Sequence, residues 1–344
     1  MIRALLLLLS VLTLAACAGE GTRASPAHGG RGATARTDKG AALSRRAALR
    51  YDIRGRPFPL PVVSGRIAGQ PVLMLVDTGA NSHVIAAWMA RKIGLPMKKL
   101  GDIGTDHVGK AIATYRIDKL DMTIDGWGKL DTSTALATEV PAVIEKLGIG
   151  AFISPQRLDE EGDSVILDLR GGEIRSAWWD TAHAELGGAG SPLVDGDQGK
   201  VCAENDGPVK GLAFVVPSVV DSHKVELLVD TGAQHSDVFT SSPAGQRLVR
   251  QSATNREAMY SASGRVSARK LRGARVTAGS FSVTTDIDLI EGAADSSCPR
   301  DGVLAMDVLR SCSILFGRSR IYGRCADALA AAPSPASAGR APSR

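Results

Sequence analysis

Leu75-Val76-Asp77-Thr78-Gly79-Ala80 returns 153 residues later as Leu228-Val229-Asp230-Thr231-Gly232-Ala233. A tetrapeptide such as DTGA occurs by chance in roughly one chain of this length in a hundred, so two copies behind matching apolar runs mark an internal repeat. A single Asp-Thr-Gly could simply close a strand, because Asp and Gly are ordinary turn residues. The flanks exclude that reading here, since PVVSGRIAGQPVLMLVD (61–77) and FVVPSVVDSHKVELLVD (214–230) both read as a hairpin whose second arm delivers the Asp. The repeat continues downstream. Gly109 opens a run ending at TIDG (123–126), and Gly264 a run ending at TAGS (277–280). Each half then has an apolar element with Gly, KLGIGAFIS (146–154) and DGVLAMDVL (301–309), and closes with a strand and a basic turn, VILDLRGGEI (165–174) and SILFGRSRIY (313–322).

At the N-terminus, Arg3, an apolar run from Ala4 to Leu14, and Ala15-Ala16-Cys17 have the layout of an export signal, too short to stay as a spanning helix. Leu14-Ala15-Ala16-Cys17 resembles a bacterial lipobox, which implies cleavage before Cys17, acylation of that cysteine and a lipid anchor in the membrane, with residues 1–17 as the signal peptide. Ala18 rather than Asp after the cysteine favours the outer membrane, facing the periplasm. Residues 18–50 hold almost no large apolar side chain and read as a disordered tether. The tether carries seven Lys or Arg against Glu20 and Asp38, Arg3 leaves with the signal, and the tail has a surplus of one. The chain's net charge of +5 therefore leaves the body 51–325 at −2, which removes nucleic acid as a partner: a binding domain would carry its positive charge on a folded face.

The body reads as two β-rich lobes, 51–180 and 209–325, joined by a turn-rich linker at 181–208 and followed by a disordered tail at 326–344. Short runs such as VLMLVD, ATYRIDKLDMTID and SVILDL alternate β-branched and polar residues. One helix is expected within 86–95, ended by Gly94, with a shorter one in lobe two. Trp178-Trp179 is expected to close lobe one against the linker. With Cys17 assigned to the lipid, Cys202, Cys298, Cys312 and Cys325 form an even set suited to two disulfides, in any of three connectivities. Metal spacings such as CxxC are missing from the sequence, so no metal is expected.

Over 51–325 the chain resembles the aspartic proteases. The carriers are the two Asp-Thr-Gly-Ala motifs, the apolar strand before each and the later apolar elements with Gly. The spelling is similar to retropepsins, and the fusion of two lobes in one chain to pepsin-like enzymes. The resemblance implies an all-β, bilobal acid-protease fold: two pseudo-twofold-related, barrel-like lobes with short helices, a polypeptide substrate in the cleft, and an active site complete within one chain. It assigns Asp77 and Asp230 as catalytic, and Thr78, Gly79, Ala80, Thr231, Gly232 and Ala233 as their support, with no cofactor. Two carboxyls in hydrogen-bond reach share one proton, so one can act as base on water while the other polarises the scissile carbonyl. Ala80 and Ala233 stand where pepsin-like enzymes often place a hydroxyl, which implies a less acidic pair and a pH optimum nearer neutral.

The pattern departs from the family in places. Val303-Leu304-Ala305 and Leu147-Gly148-Ile149-Gly150 replace the usual apolar-apolar-Gly, and a methyl at Ala305 is expected to crowd the loop behind Asp230. Asn81 and Gln234 stand where retropepsins commonly carry Asp, and the flaps are placed near Gly109 and Gly264, with Tyr115 or Tyr260 as the aromatic candidates. His83, His107 and His235 do not share offsets from the two Asp residues, which argues against a shared role, and they read as satisfied or surface histidines. These departures keep open a second reading, a catalytically inactive relative that binds peptide or an envelope partner.

Overall fold

A computed structural model describes residues 45–326, apart from 107, 119, 133–134, 159–161, 189, 195–199, 205–210, 253, 262–263 and 293–297. The signal segment, Cys17 and most of the tether and tail lie outside the described residues.

The ordered chain begins with β1 (Arg46–Ala48) and β2 (Arg50–Ile53), so the last residues assigned to the tether are already strands. β3 (Arg56–Ile67) and β4 (Gln70–Val76) form the first hairpin. Its turn holds Ala68 at φ 47° and Gly69 at φ 76°, the left-handed pair whose twist matches that of the strands. β5 (Val84–Ala86) leads into α1 (Ala87–Lys92), which buries Ala87, Met89 and Ala90 and gives way to left-handed Gly94 where the sequence placed the stop. β6 (Lys98–Thr105), β7 (Ala111–Ile117), β8 (Met122–Ile124), β9 (Gly128–Lys129) and β10 (Ala135–Thr138) follow, then α2 (Ala142–Leu147) and β11 (Ile149–Ile153). β11 runs parallel to β4 and antiparallel to β5, while β5 runs parallel to β10. The loop carrying Asp77 is therefore held between strands of fixed register.

A 3₁₀ turn at Pro155–Arg157 precedes β12 (Ser164–Asp168) and β13 (Glu173–Ala177). The stretch expected as a linker then holds most of α3 (Trp179–Leu186), β14 (Ser191–Val194) and β15 (Lys200–Glu204). Its turn-rich composition hid two strands: β14 pairs with the last strand of the chain, far along in sequence, and β15 forms an antiparallel hairpin with the strand that follows it, the first long strand of lobe two.

Lobe two repeats the plan with β16 (Gly211–Val220), β17 (His223–Val229), β18 (Asp237–Phe239), α4 (Pro243–Val249), β19 (Arg256–Ser261), β20 (Gly264–Ala278), β21 (Phe281–Ile290), β22 (Gly302–Leu304), α5 (Met306–Leu309), β23 (Cys312–Gly317) and β24 (Ile321–Cys325). β22 is parallel to β17 and antiparallel to β18, and β18 is parallel to β21, the same crossing as in lobe one. Even the hairpin turn recurs, with Asp221 at φ 50° and Ser222 at φ 83°. α4, at 7 residues against 6 in α1, is not the shorter helix expected. Ser242 accepts the Gly245 N–H (3.0 Å) and Pro243 opens the first turn, a cap that α1 lacks.

The lobes share a six-stranded sheet in the order β1-β13-β12-β23-β24-β14. β12 and β23 pair antiparallel from Ser164↔Gly317 to Asp168↔Ser313, so an unbroken backbone ladder joins the two halves. Strand alternation divides this sheet by face. Val165, Leu167, Ile314 and Phe316 enter the main core, while Ile166, Leu315 and Tyr322 meet Trp179 and Ala182 of α3 on the other side. Trp179 is thus packed, with Arg320 stacked over its ring at 4.0 Å. A disulfide joins the register partners Cys312 and Cys325 and closes a 13-residue separation, an entropic constraint worth about 3 kcal/mol. Cys298 is also disulfide-bonded, and the Cys202 side chain lies outside the described residues.

Candidate active site

β4 and β17 each end in an Asp-Thr-Gly loop, pinned behind by the facing parallel strand: the Asp77 N–H donates to Ile153 O (2.8 Å) and the Asp230 N–H to Leu304 O (2.9 Å). The threonines then lock one loop to the other. Thr78 Oγ1 donates to Val229 O (2.7 Å) and accepts from the Thr231 N–H (3.0 Å). Thr231 Oγ1 donates to Val76 O (2.7 Å) and accepts from the Thr78 N–H (3.1 Å). Both side chains are buried, so these four bonds, each worth about 1 kcal/mol net, fix the spacing of the loops with little competition from water.

The two carboxyls are in direct hydrogen-bond contact. Asp77 Oδ1 accepts the N–H groups of Gly79 (2.9 Å) and Ala80 (3.0 Å), and Asp230 Oδ1 accepts that of Gly232 (2.7 Å). A Cβ on Gly79 would lie 2.7 Å from Asp230 Cγ, so only glycine lets the opposing acid come so close. Burial, and then the charge of Asp230, raise the Asp77 carboxyl well above the ordinary range, against the pull of the Ala80 N–H. The pair therefore retains a shared proton under conditions in which isolated aspartates have lost theirs.

Around this symmetric centre the two lobes differ. Six residues after Asp77, His83 accepts the Ser154 N–H on Nδ1 (3.2 Å). Six after Asp230, Ser236 Oγ accepts the Ala305 N–H (2.9 Å). Burial lowers the His83 imidazole to about 4, so it stays neutral with its proton on Nε2. Ser236 is in turn bonded to Asp307, through Oγ (2.7 Å) and its N–H (3.1 Å). Ala305 lies buried beside Ala213, Val215, Ala233 and Val303, and its N–H donates to Ser236 Oγ.

Lobe two also buries a polar pair where lobe one sets Val84 against Leu136. Asp237 occupies the place of Val84 and pairs in register with Asp288, which accepts from Lys270 Nζ at 2.9 Å. Burial, then the charges of Asp288 and Asp230, raise the Asp237 carboxyl well above its ordinary value, opposed by Arg300. In the sequence that acid stands as a mismatch against Val84 when the repeats are aligned at their offset of 153. The sequence does not mark Gln156: its Nε2 lies within hydrogen-bond distance of Thr78 O, Ala80 O and Leu212 O, contacts that no local spacing announces.

The β6–β7 hairpin, near Gly109, reaches over to lobe two. Asp106 caps its tip by accepting from the N–H groups of Val108 (3.2 Å) and Lys110 (2.8 Å). Val108 is buried with Phe239, Met259, Val266, Ala268 and Ile290. Tyr115 sits further along β7 with its hydroxyl on Glu139 (3.1 Å), away from the tip. His107 and the Tyr260 side chain lie outside the described residues. Asn81 and Gln234 serve through their carbonyls, which accept from Leu212 N–H and Asp307 N–H (both 3.1 Å). Among the described residues no group of three or more His, Cys, Asp or Glu is arranged to hold a metal ion.

Comparison with curated proteins gave no match. The aspartyl protease family model matches twice, at residues 63–150 and 216–308, which together span half of the chain and contain one Asp-Thr-Gly loop each. With the two loops locked face to face in duplicated lobes, the chain belongs to the aspartyl protease family.

Proposed function

We propose that the protein is an endopeptidase in which Asp77 and Asp230 activate a water molecule and hydrolyse a peptide bond without a covalent intermediate. The observation that carries this reading is the direct contact of the two buried carboxyls, held by reciprocal threonine bonds. A binding module would have no need to force two acids together at the energetic cost of their repulsion and burial. In the working cycle the ionised carboxyl takes a proton from water as the oxygen attacks the scissile carbon, and the protonated one donates to the carbonyl oxygen. One carboxyl then passes its proton to the amide nitrogen as the C–N bond breaks, while a hydroxyl of the tetrahedral diol returns its proton to the other carboxylate, which releases the two fragments and restores the shared-proton state. The raised Asp77 carboxyl supports a rate optimum milder than pepsin's, and a maximum below about pH 3 would contradict it.

The test compares cleavage of denatured casein by the mature chain with that by Asp77→Asn and Asp230→Asn. Each substitution is expected to lower the rate by at least about 10³-fold, since neither the base nor the shared proton survives it. Equal cleavage by all three proteins removes the dyad mechanism. Cleavage by none across the pH range favours the peptide-binding alternative. We further propose, from Leu14-Ala15-Ala16-Cys17 and the tether, that the enzyme is anchored through acylated Cys17 at the periplasmic face of the outer membrane. Metabolic labelling with palmitate that is lost in Cys17→Ser tests the anchor, and an unlabelled soluble product rejects it.

A further inference from the structure

Gln156 stands in the 3₁₀ turn after β11 with only 4% of its surface exposed. Its Nε2 meets three backbone carbonyls, Thr78 O at 3.0 Å, Ala80 O at 2.9 Å and Leu212 O at 2.8 Å. An amide has two N–H hydrogens, so one of these contacts is shared. The reverse orientation would set the amide oxygen against three other oxygens, so the assignment follows from the surroundings. The opposite end, Oε1, is buried with no hydrogen-bond partner among the described residues. A side chain placed merely to fill space would not leave a buried oxygen in that state, which points to the nitrogen end as the reason for its presence.

The carbonyls it holds belong to the loop that carries the first acid. Thr78 O and the Gly79 N–H are two ends of one peptide group, and that N–H donates to Asp77 Oδ1 at 2.9 Å. Donation to the carbonyl fixes the plane of the peptide and polarises it, strengthening the bond its N–H makes. Ala80 O belongs to the peptide 80–81. The peptide between these two carries the Ala80 N–H, the second donor to Asp77 Oδ1 at 3.0 Å. Gln156 thus clamps the peptides on either side of the one it does not touch. The third carbonyl, Leu212 O, comes from lobe two, and the Leu212 N–H donates to Asn81 O (3.1 Å), so the entry of β16 is fastened to the same loop.

Lobe two meets the same need differently. Ala233 O and Gln234 O accept from the backbone N–H groups of Met306 and Asp307 at the start of α5, both at 3.1 Å. In lobe one the 3₁₀ turn stands where α5 stands, and a side chain provides the donor.

We infer that Gln156 is a positioning residue that aims the Gly79 and Ala80 N–H groups at Asp77, and thereby sets turnover and the proton affinity of the dyad rather than substrate binding. The inference rests on the peptidase reading above for its kinetic part and on the loop geometry alone for its titration part. Two variants test it: Gln156→Met, of similar length with no donor, and Gln156→Glu, which can donate only while its carboxyl is protonated. Tyr51→Phe, which removes a hydroxyl bond to Leu169 O (2.8 Å) outside the active site, serves as a stability control. Each is measured for kcat and KM on a casein-derived peptide as a function of pH, and by carbon-13 NMR titration of the aspartate carboxyls.

For Gln156→Met, kcat is expected to fall about 10- to 100-fold with KM held within about twofold. Weaker donation to the charged form should also move the pH–rate profile and the dyad titration upward together. Gln156→Glu should regain turnover relative to Gln156→Met as the pH falls and its own carboxyl gains a proton. If Gln156→Met does not fold, the comparison of Gln156→Glu at low and neutral pH carries the test. A kcat and dyad titration like those of the unsubstituted protein, or a fall in kcat matched by Tyr51→Phe, overturns the inference. If the unsubstituted chain cleaves nothing, the peptidase reading fails, while the titration still decides the role of Gln156.

Discussion

At Gly79, a hydrogen in place of a methyl decides whether the two acids can meet. A Cβ there would stand 2.7 Å from Asp230 Cγ and 2.8 and 2.9 Å from its oxygens, closer than any relaxed contact. Gly79→Ala is therefore expected to push the Asp230 carboxyl aside and to cost about 100-fold in kcat, with a loss of stability of about 1–3 kcal/mol. Kinetics with a denaturation curve check this, and turnover like that of the parent would show that the loops have slack. Asp77, Asp230, the threonines and Gly79 were legible in the sequence because their order along the chain is the chemistry. Gln156, Asp307 and the partners of His83 were not, because they act over separations of 71–78 residues through side chains with no repeating interval.

The hairpins that deliver the acids share a turn geometry but not a turn composition. Gly69 takes the second left-handed position in lobe one at no steric cost, while Ser222, exposed, holds it in lobe two at φ 83°. A non-glycine residue there sacrifices about 1–2 kcal/mol, partly offset by the greater freedom of glycine in the unfolded chain. Ser222→Gly is accordingly expected to stabilise the protein by about 0.5–1 kcal/mol, read as a higher melting temperature with unchanged kcat. A lower melting temperature would mean that the Ser222 hydroxyl supports the turn. The hairpins, α1 and the internal repeat were readable, since period-2 alternation, Gly94 and the two Asp-Thr-Gly-Ala motifs are local signals. α3, β14 and β15 were not, because they are short and lie among turn-forming Gly and Asp residues, and β14 becomes regular only against β24, far along the chain. The cap at Ser242-Pro243 was a local signal too, one that outweighs the shorter apolar run of α4.

Across the whole molecule, two sets of buried groups make stability depend on pH in opposite directions. Burial raises the carboxyls of Asp77, Asp237, Asp288 and Asp307, the last two against bonds from Lys270 and Ser236. Above about pH 4 the folded protein then binds more protons than the unfolded chain, and stability declines as pH rises through the folded values. His83 acts the other way: with its imidazole lowered from 6.5 to about 4, the unfolded chain takes the proton first, and stability is lost as pH falls across that interval. Chemical denaturation from pH 3 to 8 should trace a dome. His83→Gln is expected to flatten its acid limb by up to about 3 kcal/mol, and an unchanged limb would place His83 in contact with solvent.

The ladder between β12 and β23 makes the two lobes one polypeptide joined along a common seam. Two separate identical subunits would have to accept every substitution in duplicate, on both sides of the axis. Fusion releases each half from its twin, and the chain has used that freedom: Asp237 against Val84, Ser236 against His83, a side-chain clamp on one loop and a helix start on the other. The two halves of the acid pair therefore stand in unlike surroundings, so moving the neighbours of Asp230 into lobe one would not be a silent exchange.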